Sequence, residues 1–336
     1  MEDRTEVKKH CRVCGERVNR LYRGSGGKRC VVCLHRTHGN HMADNKRVCA
    51  RCGEEDMTIP GGDGFIPGRV SILHLTDIHF GREDSPDRIG PAEELMKKEG
   101  INYVLVSGDL TARAGREEYE MAAGWINKME STGIRVGVVP GNHDIGYWGN
   151  IMSLGRQFAG RKYHRWIEII DRPIEPCVRG AGSLMLGLNS AHGVSPTRFL
   201  NGYLNRFQML RAAEILKATP EDHMKLVFCH HPLVRFEGNL HKSMFKSEKV
   251  RLELMEAGAD IFLWGHQHSF ASVELERGGG RSFAVQSPTL SERTRSGHGP
   301  GFVVIDWYFK VKLVIRVYRI FSGNKVEEER RVEYSL

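Results

Sequence analysis

VSILHLTDIHF, residues Val70 to Phe80, decides how this chain is read. It opens with an apolar run of the length and composition of a buried strand. Asp77 and His79 follow at once. A carboxylate and an imidazole just past the C-terminal end of a strand stand where open α/β sheets bind their ligands. Two residues apart on extended backbone, the pair is expected to share a face.

The arrangement recurs along the chain. YVLVS (Tyr103–Ser107) leads into Gly108-Asp109-Leu110-Thr111, and IRVGVV (Ile134–Val139) leads into Gly141-Asn142-His143-Asp144. KLVFC (Lys225–Cys229) runs into His230-His231-Pro232, and DIFLW (Asp260–Trp264) into Gly265-His266-Gln267-His268. SLMLGLN (Ser183–Asn189) reads as one more buried strand. Helix-like stretches lie between them, most clearly Pro91–Glu99, Arg116–Glu130, Arg206–Lys217 and Lys246–Glu256. This alternation predicts α/β layering. The end of the chain is different: SVELE, SFAVQS, FVVIDW, VKLVIRVYRI and VEEERRVEYS follow with short gaps and predict antiparallel hairpins. Val311, Leu313, Ile315 and Val317 are expected to alternate onto one face. The predicted fold is an α/β sandwich of two mixed sheets with flanking helices.

The residue types make chemical sense together. Oxygen and imidazole ligands without thiolate suit Mn, Fe or Zn, and the two oxygens of Asp109 could bridge two ions. His266 and His268 repeat the two-residue spacing of Asp77 and His79. A glycine precedes Asp109, Asn142 and His266, where a sharp turn has to aim a side chain inward. Any one of these motifs alone reads as a turn or a core histidine. Five of them in order, each at a strand end, predict a metal site. Among the other histidines, His74 is expected in the core, His231 lining or supporting the site, and His241 in solvent. His192 reads equally as pocket or scaffold. Arg113 is expected at the surface and Cys229 as a buried thiol.

The ordered set DIH, GDLT, GNHD, HHP and GHQH resembles the calcineurin-like metallophosphoesterases. HLTDIHFG, SGDLTARAG, VPGNHD and NGYLNRFQMLRAAEIL are most similar to the class III cyclic-nucleotide phosphodiesterases. The resemblance spans residues 70 to about 335 and implies two divalent or trivalent metal ions (Mn, Fe or Zn). Asp77, His79, Asp109 and His268 would hold the first ion; Asp109, Asn142, His230 and His266 the second. His143 would contact the phosphate or protonate the leaving oxygen, with Asp144 orienting it. The implied reaction is hydrolysis of a phosphodiester by a metal-bridging hydroxide, with a 3',5'-cAMP-like cyclic nucleotide as leading substrate. Ala112 and Trp264 depart from the common pattern, at positions that could shape the pocket or its hydrogen bonds.

The chain has 336 residues, with 49 Lys+Arg against 41 Asp+Glu, a formal net charge of +8. With 40% hydrophobic residues and no long repeat, it is neither a disordered tail nor a coiled coil. No apolar run follows MEDRTEVKKH, so no secretory leader is expected. No stretch approaches the ~20 apolar residues of a membrane helix. A cytoplasmic protein with no membrane partner is expected.

Six of the eight cysteines fall in the first 52 residues, as three CxxC pairs. Cys11, Cys14, Cys30 and Cys33 have the spacing of a zinc ribbon or knuckle. His38 and His41, with Cys49 and Cys52, could complete a second site, so one or two structural zinc ions are expected. Sequential and cross-braced pairing both fit. The predicted division is a Cys/His-rich zinc-binding module over 1–53, a Gly/Pro-rich linker over 54–69 and the catalytic domain over 70–336. Lys8, Lys9, Arg12, Lys28, Arg29 and Arg36 are among the module's many basic residues. They keep two further readings open: a metal-dependent nuclease steered by the basic module, or an adaptor that docks a protein partner through it.

Overall fold

The computed structural model describes residues 28–29, 36–37, 68–82, 85–101, 103–145, 162–180, 182–192, 201–239, 241–277, 280–291, 299–309 and 311–336. The expected zinc ligands Cys11, Cys14, Cys30, Cys33, His38, His41, Cys49 and Cys52 lie outside these residues. Near them, β1 (Lys28–Arg29) pairs antiparallel with β2 (Arg36–Thr37).

The apolar runs form the expected strands. Before the hairpin-rich close these are β3 (Arg69–Leu75), β4 (Tyr103–Val106), β5 (Arg135–Val138), β7 (Ser183–Gly187), β8 (Met224–Phe228) and β9 (Ile261–Trp264), and one strand that no run announces, β6 (Cys177–Gly180), joins them. The hairpin-rich close supplies β10 (Ala271–Arg277), β11 (Gly280–Gln286), β12 (Gly301–Tyr308), β13 (Lys312–Ile320) and β14 (Val326–Ser335). Two six-stranded sheets result, in the orders β14-β13-β12-β3-β4-β5 and β10-β11-β9-β8-β7-β6. Both are mixed. β3, β4 and β5 are parallel, as are β7, β8, β9 and β11, while β12 is antiparallel to both β3 and β13.

The central strands are buried on both faces, which is why they read as continuous apolar runs rather than alternating ones. Val70, Ile72 and Leu105 meet Leu226, Phe228, Ile261 and Leu263 between the sheets. On the outer face of the first sheet, Leu73, Leu75, Val104 and Val106 pack with Met96, Tyr119 and Trp125. These last three come from α1 (Ser85–Glu99) and α2 (Arg116–Ser131). Glu93 joins the two helices by accepting from Trp125 Nε1 at 2.9 Å and from Lys128 Nζ at 2.7 Å. Helix α1 runs through Pro91 and starts six residues before the expected Pro91 boundary, at Ser85. On the second sheet, Leu184, Leu186, Val227 and Phe262 pack against α3 (Arg206–Ala218) and α4 (Ser247–Glu256). Asn205 caps α3, accepting from the Phe207 and Gln208 N–H groups, and Gln208 returns the bond to the Asn205 N–H at 2.9 Å.

One expectation at the end of the chain fails. Val311 precedes β13 and is 62% exposed, so it does not share the face of Leu313, Ile315 and Val317. Val314 and Tyr318 on the opposite face are buried as well, so β13 is a two-faced core strand. Among the described residues, no helix is long and apolar enough to cross a membrane.

His74 occupies the core position expected of it. Its Nε2 lies 2.9 Å from Ser107 Oγ, and burial pushes its pKa from 6.5 down to about 3. The unfolded chain therefore takes up a proton at this residue that the folded chain refuses. Stability contributed above pH 6.5 is lost as pH falls towards 3, with a slope of about 1.4 kcal/mol per pH unit from this one group. His74→Gln is expected to flatten acid unfolding between pH 6 and 4 by close to one proton, as read from melting curves across that range.

Candidate metal centre

Five turns build the site, each following the C-terminal end of a strand. Asp77 and His79 follow β3, Asp109 follows β4, and Asn142, His143 and Asp144 follow β5. His230 and His231 follow β8, and His266 and His268 follow β9. Two sheets thus deliver the groups to one edge of the sandwich, and all ten residues named are buried.

The shared-face argument for the two-residue spacing does not hold. Asp77, His79, Asp109, His266 and His268 all have left-handed backbone, with φ between 53° and 67°. Alternating left-handed residues tighten each turn. Asp77 and His79 still converge with His268, while His266 turns aside towards His230 and His231. The glycines serve two different needs. Gly108 has φ +93° and would also place a Cβ 2.8 Å from Gly141 and from His230 Nδ1. Gly265 is needed for space, because a Cβ there would overlap Thr76 Oγ1 and stand 2.5 Å from Asp77 Oδ2.

Backbone carbonyls set the imidazole tautomers. His230 Nδ1 donates to Ser107 O at 2.8 Å, and His79 Nδ1 faces Thr111 O at 3.3 Å. In each ring this leaves Nε2 with a lone pair aimed into the cluster. His79 Nε2 is buried and has no hydrogen-bond partner. His230 Nε2 lies 3.0 Å from Asn142 Oδ1, 3.1 Å from His266 Nδ1 and 3.5 Å from Asp109 Oδ2. Acceptors converging this closely fit a cation between them. The electrostatics agree. Burial opposes charge on His230, yet the Asp109 and Asp77 carboxylates outweigh it and raise its pKa. Burial likewise opposes charge on Asp77, but His268, 3.0 Å from its Oδ1, holds it well below the usual carboxylate range. Burial pushes His79 down to about 3, so it is a neutral donor.

Residues behind the cluster lock it. Asp77 Oδ2 accepts from Thr76 Oγ1 at 2.7 Å and from the His266 N–H at 3.0 Å, the latter joining the two sheets. His143 Nδ1 meets Ala112 O at 2.7 Å. The Asp144 carboxylate, expected to orient His143, instead collects the N–H groups of Gly141, Leu110 and Thr111 and the Thr111 hydroxyl. Asp144 thus ties the GDLT turn to the GNHD turn. Burial and the Asp109 charge push its carboxyl up to about 7, against these hydrogen bonds.

The loop histidines separate. His192 Nε2 bonds Gln208 Oε1 at 3.0 Å, which makes it part of the α3 cap. His231 Nδ1 lies 2.8 Å from Ser190 Oγ. His241, expected in solvent, stands with its ring centroid 4.8 Å from that of His266. Nothing in the spacing of NLHK marks it, because it reaches the site through a loop. Arg113 is exposed and Cys229 buried, as expected. Trp264 is buried, stacks with Phe236 and donates its indole N–H to Gln286 Oε1 at 3.1 Å, so it belongs to the core behind the turn.

The profile of the calcineurin-like phosphoesterases matches residues 70–270, the stretch that carries all five turns. The chain belongs to the calcineurin-like phosphoesterase family. It is accordingly a metal-dependent phosphoester hydrolase, and its clustered His and Asp side chains fit a dinuclear metal centre. This phosphoesterase is 21% identical over 286 residues to the 3',5'-cyclic adenosine monophosphate phosphodiesterase CpdA of Vibrio vulnificus (strain CMCP6). That alignment covers 80% of this chain and 96% of the relative. Among solved structures it is similar to purple acid phosphatase PPD1 from yellow lupin (Lupinus luteus) seeds, with a TM-score of 0.59 and 13% identity. The match covers 82% of this chain but spans only 55% of the lupin chain. A dimetal phosphatase from Danio rerio gives a TM-score of 0.54 at 12% identity, covering 79% of this chain and 98% of that one. These structural likenesses place the fold.

Proposed function

We propose that this phosphoesterase hydrolyses phosphodiesters, with a 3',5'-cAMP-like cyclic nucleotide as its substrate. The observation that carries the reading is the convergence of ligand atoms around His230 Nε2 and Asp109 Oδ2. The likeness to CpdA over 80% of this chain supports the cyclic-nucleotide assignment. Asp77, His79, Asp109 and His268 would hold one metal ion and Asp109, Asn142, His230 and His266 the other, drawn from Mn, Fe or Zn. A bound metal pair supplies Lewis-acid activation of water and a clamp on the phosphoryl oxygens. The chain's own residues do the rest. Asp109 would be shared by the two positions, with Oδ2 facing the cluster while Oδ1 accepts the His143 N–H. His143, its Nδ1 held by Ala112 O, presents Nε2 to bind the phosphate or to protonate the leaving oxygen, a role worth about 10²–10⁴-fold. Asp144 keeps the turns of Asp109 and His143 in register.

The charge distribution favours a second reading. Residues 1–53 contain 13 Lys+Arg and 5 Asp+Glu, so 13 − 5 = +8. The remaining residues contain 36 of each, so they sum to zero. All of the net charge thus sits on the Cys/His-rich segment, as a device for gripping phosphate backbones would require. The antiparallel pair of β1 and β2 brackets Cys30 and Cys33 in sequence, which supports a zinc knuckle over residues 1–53 ahead of a linker over 54–69 and a catalytic domain over 70–336.

One experiment separates the readings. The full chain, stripped with a chelator and reloaded with Mn²⁺, is offered cyclic AMP and single-stranded DNA side by side. Cyclic AMP turnover that returns only with metal is the expected result. Cleavage of DNA but not of cyclic AMP would replace the proposal with a nuclease, and turnover that survives chelation would overturn the metal assignment.

A further inference from the structure

His241 is outside the expected ligand set, yet its ring centroid lies 4.8 Å from that of His266 and is tilted by 37°. His266 is buried, whereas His241 is half-buried. Its ring therefore borders both the ligand cluster and the solvent from which a substrate arrives.

The backbone at this position is held from both sides. Gln267 Oε1 accepts the His241 N–H at 3.2 Å, and Gln267 Nε2 donates to the His241 carbonyl at 3.0 Å. Gln267 is buried and sits between the ligand histidines His266 and His268. Two residues before His241, Asn239 exchanges a pair of amide hydrogen bonds with Gln286 at 3.0 and 3.1 Å. Gln286 in turn accepts from the Trp264 indole at 3.1 Å. Ordering a loop residue costs about 1–2 kcal/mol of backbone entropy. Here buried amides from the metal-ligand turn and from β11 offset that cost, to fix one imidazole beside the cluster.

We propose that His241 contacts the phosphoryl group of the substrate from the His266 side of the site, with Gln267 as the positioning residue that holds it there. The proposal rests on phosphoester hydrolysis at this centre, not on which ester is cut. His143 stands beside His79, with their ring centroids 4.7 Å apart. The phosphoryl oxygens would then meet His143 near one set of ligands and His241 near the other. A single imidazole N–H suffices for a charge-assisted bond to a phosphate oxygen.

The test uses the full chain loaded with Mn²⁺, with three readouts: inorganic phosphate binding by calorimetry, turnover of bis(p-nitrophenyl) phosphate, and metal content per chain. Losing a hydrogen bond to a charged group costs about tenfold to a hundredfold in affinity. His241→Ala is expected to weaken phosphate binding by that factor and to raise KM more than it lowers kcat, with metal content unchanged. His241→Asn restores part of the affinity through its amide N–H. Gln267→Leu falls between the parent and His241→Ala, because the ring remains but its hold is lost. Unchanged phosphate affinity in His241→Ala would overturn the proposal. So would loss of a metal ion, which would make His241 a ligand. A parent protein that fails on cyclic AMP would overturn the substrate assignment alone, and phosphate binding would still decide the role of His241.

Discussion

Asp109→Asn is expected to lower turnover by about three orders of magnitude while the protein stays folded. The two oxygens of Asp109 have different duties. Oδ1 accepts the His143 N–H at 2.8 Å, a structural bond that an asparagine oxygen can still accept. Oδ2 lies 3.5 Å from His230 Nε2 and 4.0 Å from His143 Nε2, within the cluster. Asparagine replaces that anionic oxygen with an N–H₂ donor, which cannot ligate a cation. The several kcal/mol of transition-state stabilisation that a metal supplies are then forfeited. Steady-state rates and metal content measured on the same sample check this. A variant as fast as the parent would show that Asp109 holds no metal.

Gly141→Ala is expected to damage both the site and the fold. Gly141 has no left-handed φ; glycine is required there by space. A Cβ would overlap Asp109 Oδ1 and the Asp109 backbone nitrogen, and the latter cannot rotate away. The Gly141 N–H also donates to Asp144 Oδ2 at 2.8 Å, so moving this turn breaks the link to the GDLT turn. Overpacking of this kind costs about 3 kcal/mol. The thermal midpoint should fall, and metal should no longer be retained through gel filtration. Gly124→Ala, in α2 with open space around it, is the matched control: it should retain metal and keep or raise the midpoint, since alanine favours the helix by up to about 1 kcal/mol.

Strand positions were legible because a strand buried on both faces must be apolar, and the polar residues that end such a run stand out against it. The six apolar runs therefore stand out, as do the Asp, Asn and His residues expected as ligands after five of them. Cys177–Gly180 did not, because a four-residue edge strand reading CVRG carries neither signal. The π turn at Trp166–Ile170 was equally silent. Left-handed φ at Asp77 and His79 is set by the close approach of the GDLT turn, where the His79 N–H donates to Asp109 O at 3.0 Å. Local spacing could not report it. His241 was misread because its location depends on Gln267 and Gln286, both distant in fold logic from a Lys-flanked loop. The hold of Asp144 on two turns was not legible, because a carboxylate beside a histidine in sequence can still turn its oxygens to backbone amides.

The order of strands in the first sheet has a consequence for how the protein is made. β12 lies between β3 and β13, although more than two hundred residues of chain separate it from β3. During synthesis, β3, β4 and β5 leave the ribosome first, and one edge of β3 stays unpaired until residues 301–308 follow. Asp77 likewise waits for His268, 191 residues later. At about 5–20 residues per second, that interval lasts roughly ten seconds or longer. A nascent chain in that window carries an exposed apolar strand edge and half a metal site, the species most in need of a chaperone. His268 completes the first set of ligands before residues 301–308 arrive to cover the edge of β3.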